Sequence, residues 1–295
     1  MTKVLMTGAT GFIGSHLVRR LISESWSINA ILRPSSKTDL LKNLVNKIAI
    51  HIHDGTTEKM ISIVKKVKPD IVFHLASFSA YKHKSQDITQ FVMSNILFGN
   101  QLVEAMVRNN VNYLINTGTY WQNFQNEDYS PVCLYAATKK AYEDIVQYYL
   151  ETTNLRVILL KLFDTYGPMD PRQKIFNRLN DAIEKGICLD MTPGKQLIDM
   201  VHIDDVVEAY LIAATRLLNE QGRNYEEYAI SSGQQIALRD LVETYLSAVR
   251  KDANIKWGGR KYRDREVMIP WNKGKPLPGW TPRISLKDGL RSVLS

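Results

Sequence analysis

Short apolar runs alternate with stretches of helical periodicity through the first half of the chain. "KVLM" near the start, "INAIL" (28–32), "IAIHI" (48–52), "DIVFHLA" (70–76), "YLIN" (113–116) and "RVILLKL" (156–162) are apolar nearly throughout, as strands buried on both faces must be. After the first run, Ile13, Leu17, Leu21 and Ile22 recur on one helical face. The segments around 58–68, 90–109 and 133–152 carry the same period. Strands of this kind alternating with helices predict an α/β fold, a doubly wound parallel sheet covered on both sides. Beyond "YGPMDPR" (166–172) the regularity loosens. Helical stretches near 173–186, 204–218 and 238–251 are separated by Gly- and Pro-bearing loops, and the tail ends in a short amphipathic helix. The expected organisation is a sheet domain over 1–165 with a returning segment at about 197–231. A smaller, discontinuous C-terminal domain then comes from 166–196 and 232–295.

Composition narrows the setting. A chain of 295 residues with 44% hydrophobic content can bury a full core. Two cysteines, Cys133 and Cys188, make no disulfide framework. The first strand follows Met1 directly, and no apolar run approaches the ~18 residues of a membrane span, so a cytoplasmic location without a membrane span is expected. The net charge of +8 is dispersed, with modest clusters only at "KHK" (82–84) and "GRKYRDR" (259–265). No nucleic-acid motif accompanies it, so the charge reads as a solvated basic surface or an attraction for a phosphate-bearing small molecule, and not as a nucleic-acid site. Six histidines are scattered without acids at ligand spacing, and no metal is expected.

Chemistry enters at "MTGATGFIGS". Gly8, Gly11 and Gly14 lie between the first strand and first helix, with Thr10, Phe12 and Ile13 among them. Such a turn lets backbone approach a pyrophosphate, and the helix N-terminus offers free N–H groups and a positive dipole end. This context makes the sheet domain a Rossmann-type dinucleotide site. The second strand ends in Arg33, with no acid in place. An arginine accommodates a 2′-phosphate, so NADP(H) is the expected cofactor. Asp54, closing the third strand, either accepts from the adenine amino group or is an ordinary turn aspartate.

"YAATK" sets Tyr135 and Lys139 four apart, on one helix face. With 14 tyrosines in the chain, one such spacing arises readily by chance. The chemistry is nonetheless coherent: reducing a carbonyl requires an acid to protonate the forming alkoxide, and a cationic lysine one turn away lowers a phenol's pKa toward that task.

With these segments in place the chain resembles the extended short-chain dehydrogenase/reductases that act on nucleotide sugars. "TGATGFIGSHL", "DIVFHLAS", "YAATK", "FDTYGP", "DMVHIDDVVEA" and "GWTPRISLKDGL" follow that family's order over nearly the whole chain. The resemblance implies that Leu75 and Ala76 lie along the cofactor and that Lys139 reaches its ribose as well as the phenol of Tyr135. It also implies a strand-end Ser or Thr on the reacting oxygen, here Thr119, with Thr117 as the alternative. Phe163 and Asp164 stand where the family commonly has Phe-Asn, and an aspartate cannot donate as an amide does. Ile198 stands where an arginine is common. Trp121 could stack on sugar or base, and Arg172 and Arg263 are candidates for phosphate.

Among the family's reactions, the dehydratases follow the active-site threonine with Asp and Glu, whereas Tyr120 and Trp121 stand here. A 4-epimerase retains NAD and presents an acid to its ribose, which Arg33 opposes. A non-catalytic NADP-binding regulator would need no acid. The segments "NTGTYWQ" and "YRDREVMIPW" are similar to the synthases that reduce the 4-keto group of CDP-activated deoxyhexuloses, as in CDP-abequose or CDP-paratose synthesis for bacterial surface polysaccharide. The expectation is therefore an NADPH-dependent nucleotide-sugar 4-ketoreductase, with the 4-epimerase as alternative. The resemblance also implies a homodimer through the helices near 90–109 and 133–152.

Overall fold

The computed structural model describes residues 1–293. In chain order the sheet unit begins β1 (Lys3–Thr7), α1 (Phe12–Ser23), β2 (Ser27–Leu32), β3 (Ala49–Ile52), α2 (Thr57–Val67) and β4 (Ile71–His74). A short helix α3 (Ile88–Phe91) then runs through a π-helical stretch (Val92–Leu97) into α4 (Phe98–Arg108). β5 (Tyr113–Thr119), α5 (Leu134–Thr152) and β6 (Arg156–Leu162) follow. The later half holds β7 (Asp164–Tyr166), α6 (Ile175–Lys185), β8 (Leu189–Met191), β9 (Leu197–His202), α7 (Ile203–Leu218) and β10 (Tyr225–Ile230). It closes with β11 (Gln235–Ala237), α8 (Leu238–Val249), β12 (Ile255–Trp257) and α9 (Leu286–Ser292).

Seven parallel strands form the main sheet in the order β10-β6-β5-β4-β1-β2-β3. The order reverses between β1 and β4, which opens a crevice at the C-terminal ends of those strands. Alternation along β1 sends Val4 and Met6 into one core and Leu5 into the other. The first core is closed by α1 and α7 through Leu17, Leu21, Val206 and Tyr210. The second is closed by α2, α4 and α5 through Met60, Leu102, Met106 and Tyr142. Both faces of the sheet are thus covered, as runs without polar positions require.

Two features depart from the sequence pattern. β5 extends to Thr119, which puts Thr117 and Thr119 inside a strand and on one face of it. β10, "YEEYAI", carries too many polar residues to read as a buried strand, and it occupies the sheet edge, where Glu226 and Glu227 are partly exposed. A third core of Tyr166, Phe176, Leu179, Leu241, Tyr245 and Leu290 sits under the smaller sheets β11-β9-β7 and β12-β8. The stretch assigned to that lobe is divided: Trp271, Leu277 and Trp280 pack into the first core of the main sheet instead. Hydrogen bonds hold them there, with Ala229 N donating to Lys275 O at 2.8 Å and the indole Nε1 of Trp280 to Asp205 O at 2.8 Å. Among the described residues, no helix is long and apolar enough to cross a membrane.

Candidate functional site

The crevice is built first of backbone. Gly8 has φ +74°, and a Cβ there would lie 2.6 Å from Ala76 N. A Cβ on Gly14 would lie 2.0 Å from Gly8 O, so helix and turn meet with no space for a side chain. Gly11 N–H donates to Gly8 O at 3.0 Å and Gly11 serves as N-cap of α1 without a side-chain cap, which leaves first-turn N–H groups directed at the crevice. Thr10 is partly buried within the turn. Thr7 Oγ1 accepts from Ala76 N at 3.2 Å and lies 2.8 Å from His74 Nδ1. Burial, aided by the neighbouring Lys139 cation, holds the His74 imidazole down to about 3, so it pairs with the Thr7 hydroxyl as a neutral ring.

Gly8, Gly11, Phe12, Ile13, Gly14 and Leu75 line one side of a cavity of ≈ 340 Å³, and Ser77, Thr117, Thr119, Tyr135 and Lys139 line another. Phe163, Asp164 and Arg172 also border it. Ala76 contributes the backbone N–H that anchors β4 to Thr7. Thr117 is committed, its Oγ1 2.6 Å from the buried Tyr210 hydroxyl. Thr119 Oγ1 accepts from Trp121 N at 3.3 Å, which leaves its proton free to donate. Trp121 meets the Tyr135 ring edge-on at 6.5 Å.

The titration state of the Tyr135 pair differs from the sequence expectation of a lowered phenol pKa. Burial pushes Tyr135 up to about 12, outweighing the downward pull of the nearby Ser77 hydroxyl and of the Arg172 charge. Lys139 is itself held at about 8 by burial, against the opposing charge of Glu143. Lys139 has therefore lost its charge before the pH at which the Tyr135 phenol titrates, and does not acidify it there. Lys139 is 2% exposed, and its Nζ has no hydrogen-bonding or ion-pair partner among the described residues.

Neither Arg33 nor Asp54 lines the cavity: Arg33 is exposed just beyond β2, its backbone N–H donating to Ser36 Oγ at 3.0 Å. Asp54 Oδ1 accepts from Thr56 N at 2.9 Å and Thr56 Oγ1 at 2.7 Å, bonds that hold its carboxyl below the usual range. Thr56 in turn caps α2. Asp54 therefore builds the turn into that helix.

A second cavity of ≈ 350 Å³ opens beside the first, and the two share Tyr81, Tyr120, Trp121, Asp164, Thr165 and Lys174. Arg178 of α6 and Arg260 and Arg263 of the loop after β12 line it. Burial and the charges of Arg260 and Arg263 together lower the Arg178 pKa, a sign that the guanidinium groups crowd one another. Neither Arg178 nor Arg260 forms an ion pair among the described residues, while Arg263 stacks 3.8 Å over Tyr81 and lies 3.9 Å from Glu266. Asp170, Asp190 and Glu266 also line the cavity, but Arg178 and Arg260 keep their charge without an ion pair among the described residues, which suits an anion.

The junction is structured by aromatics. Phe163 stacks on Tyr120 at 4.6 Å and more distantly on Trp271 at 6.5 Å. The Tyr120 hydroxyl donates to Asp164 Oδ2 at 2.8 Å, and Lys174 Nζ stands 3.5 Å from Oδ1. The aspartate found in place of an amide is thus charge-balanced by Lys174. Arg172 does not line the arginine cavity. It is doubly bonded to Asp170 at 2.7 and 2.6 Å, donates to Thr165 O, and lies 4.4 Å over the Phe12 ring, bracing the glycine turn.

Ser77, Lys174, Arg178 and Arg260 escaped the sequence reading. Arg260 lay in the basic cluster at 259–265, and Ser77 follows Leu75–Ala76 directly. Arg178 and Lys174 carry no local signal, because only the packing of α6 against the junction brings them in.

The model of the NAD dependent epimerase/dehydratase family matches residues 4–230. A CDP-abequose synthase of Salmonella typhimurium is 27% identical over 99% of this chain and 97% of its own. Among solved structures, a UDP-glucose 4-epimerase of Thermotoga maritima with UDP-glucose superposes with a TM-score of 0.85 at 24% identity, covering 99% of this chain and 97% of that one. A Thermus thermophilus UDP-glucose 4-epimerase in complex with NAD gives a TM-score of 0.81 at 22% identity, covering 99% and 98%.

Proposed function

This chain belongs to the NAD dependent epimerase/dehydratase family, and from that premise we propose that it reduces the 4-keto group of a CDP-activated deoxyhexulose with NADPH. One observation carries the reading: Thr119, Tyr135 and Lys139 line a glycine-cradled cavity that opens directly into an arginine-lined one. The glycine cradle, closed to any Cβ, and the buried, unpartnered Lys139 fit a nicotinamide dinucleotide. The nearly full-length similarity to CDP-abequose synthase supports a CDP-sugar, and the reductive direction, with a role in bacterial surface polysaccharide made in the cytoplasm, continues the reading of the sequence segments. Arg33 at the end of β2 supports NADPH over NADH.

When bound, the cofactor supplies a hydride. The residues of this chain do the rest. Tyr135, protonated at neutral pH, holds the proton that the new alkoxide needs. The Thr119 hydroxyl, its oxygen already accepting from Trp121, donates toward the carbonyl oxygen and orients it. Lys139, cationic below about pH 8, supports developing negative charge on the phenol oxygen and would hold the cofactor's ribose. Arg178, Arg260 and Arg263 take the diphosphate, and Asp164 with Lys174 offers one acceptor and one donor to sugar hydroxyls. Trp121 closes the junction over the ring. Ile88, Val92 and Met93 with Tyr148 of α5 leave apolar surface exposed on neighbouring helices, which supports a homodimer through that face.

NADPH oxidation against a panel of CDP-, UDP-, GDP- and dTDP-4-keto sugars tests the reading. Stoichiometric oxidation with the CDP compound is expected. Interconversion of sugars with retained cofactor and no net NADPH loss would establish the 4-epimerase reading in its place.

A further inference from the structure

Tyr135 and Lys139 are followed at the same spacing by Glu143, so α5 presents all three along one face. Glu143 lines neither cavity, and it is half-buried behind Lys139. Both of its carboxylate oxygens accept from Gln122 Nε2, each at 2.9 Å. Gln122 is 1% exposed, and its Oε1 accepts from Thr119 N at 3.1 Å. A single buried amide therefore ties the acid behind Lys139 to the backbone of the strand end that presents the Thr119 hydroxyl.

The surroundings leave Glu143 as the acid available to Lys139. Burial, with Glu227 of β10, raises the Glu143 pKa to about 7 against the pull of the Gln122 hydrogen bond and of the Lys161 and Lys140 charges. Lys161 is engaged elsewhere, 2.7 Å from Glu227 and 3.0 Å from Asn123 Oδ1, and Lys140 is paired with Asp144. Tyr225 of β10, within the field of Glu143, has its phenol pKa raised and stays protonated. The group facing Lys139 from β4 is His74, which is neutral.

We infer that Glu143 is a positioning residue that keeps buried Lys139 cationic, and that Gln122 couples it to Thr119 so that one hydrogen-bonded unit sets both the lysine charge and the hydroxyl. The inference rests on the proposed pairing of Tyr135 with Lys139, but its main test needs no turnover. Protein labelled with ε-¹³C lysine is titrated by NMR, with the Lys139 signal identified by its loss in Lys139→Met. Glu143→Gln keeps an acceptor for Gln122 and removes only the charge. The Lys139 midpoint, about 8 in the parent, is expected to fall by about one unit in that variant. An unchanged midpoint overturns the inference. Glu143→Asp, which retains the charge, serves if the amide variant does not fold, and its midpoint is expected to stay close to the parent's; a fall as large as that expected for the amide overturns the charge argument.

Once a substrate is in hand, the alkaline limb of kcat should move down with the NMR midpoint in Glu143→Gln while KM holds. Gln122→Met, similar in length but unable to bond, should lower kcat about tenfold with NADPH affinity unchanged. Equal kcat would remove Gln122 from the unit. A lowered midpoint without NADPH oxidation by any 4-keto sugar leaves this inference standing and sinks the reductase reading. NADPH oxidation with an unmoved midpoint does the reverse.

Discussion

The two cavities are made of different material. The glycine-lined one is defined by backbone at the ends of adjacent strands, where Gly8 and Gly14 leave no space for a Cβ and α1 begins. The arginine-lined one is defined by long side chains from α6 and from the loop after β12, far apart in the chain. A backbone site tolerates almost no substitution and leaves a compact local signature. A side-chain site distributes its binding over flexible cations, each replaceable in part, and its members are united only by packing. The junction residues Tyr120, Asp164 and Lys174 border both cavities and join them through a hydrogen bond and an ion pair.

The comparison can be broken at several points. The largest effect is expected at the chemistry between the cavities: Tyr135→Phe should lower kcat roughly 10²–10⁴-fold while NADPH affinity, read by fluorescence titration, holds. Gly14→Ala should cost at least about 100-fold in NADPH affinity, because its Cβ would overlap Gly8 O, and nucleotide-sugar binding read by calorimetry should survive in whatever protein folds. Arg178→Met should give the converse pattern, with KM for the nucleotide sugar rising about tenfold and NADPH binding unchanged. If it weakens NADPH equally, the two cavities are not separable in the way described. Arg33→Ser should weaken NADPH about tenfold and leave NADH unaltered, a direct comparison of the two cofactors.

The smallest effect is a pH dependence. Lys139 has a folded pKa lowered to about 8, so it is charged below that pH and neutral above it. Turnover should decline as pH rises through about 8, whereas Tyr135 at about 12 remains protonated over the same range. A pH profile of kcat that is flat from pH 7 to 9 would argue against a charged lysine in the step.

Much of this architecture was legible before any coordinates. The six apolar runs became β1 to β6, and the glycine turn sits where a strand, a turn and a helix were expected. Such features are local: periodicity and φ requirements are written in adjacent residues. Tyr135 and Lys139 were found through spacing and family resemblance, and the fold brings them to one cavity with Thr119. Other readings were changed by tertiary context. Arg172 braces Phe12, and Trp271 and Trp280 belong to the main core, while Asp54 builds the entry to α2, one of the two roles its place in the sequence allowed. Edge strand β10 went unread because an edge tolerates the glutamates that a central strand would reject.

What the sequence by itself determined is the parallel sheet, the glycine turn and the placing of Tyr135 and Lys139 on one helix face, because each depends on residues within one or two turns of chain. What only the tertiary structure decided is which charges meet. Arg178 meets Arg260 and Arg263, Lys174 balances Asp164, and Gln122 joins Glu143 to Thr119 across elements distant in sequence. It also decided the direction of the Tyr135 shift. A phenol beside a lysine is acidified when the lysine keeps its full charge near it, but here burial of both groups dominates, and burial is set by the whole fold.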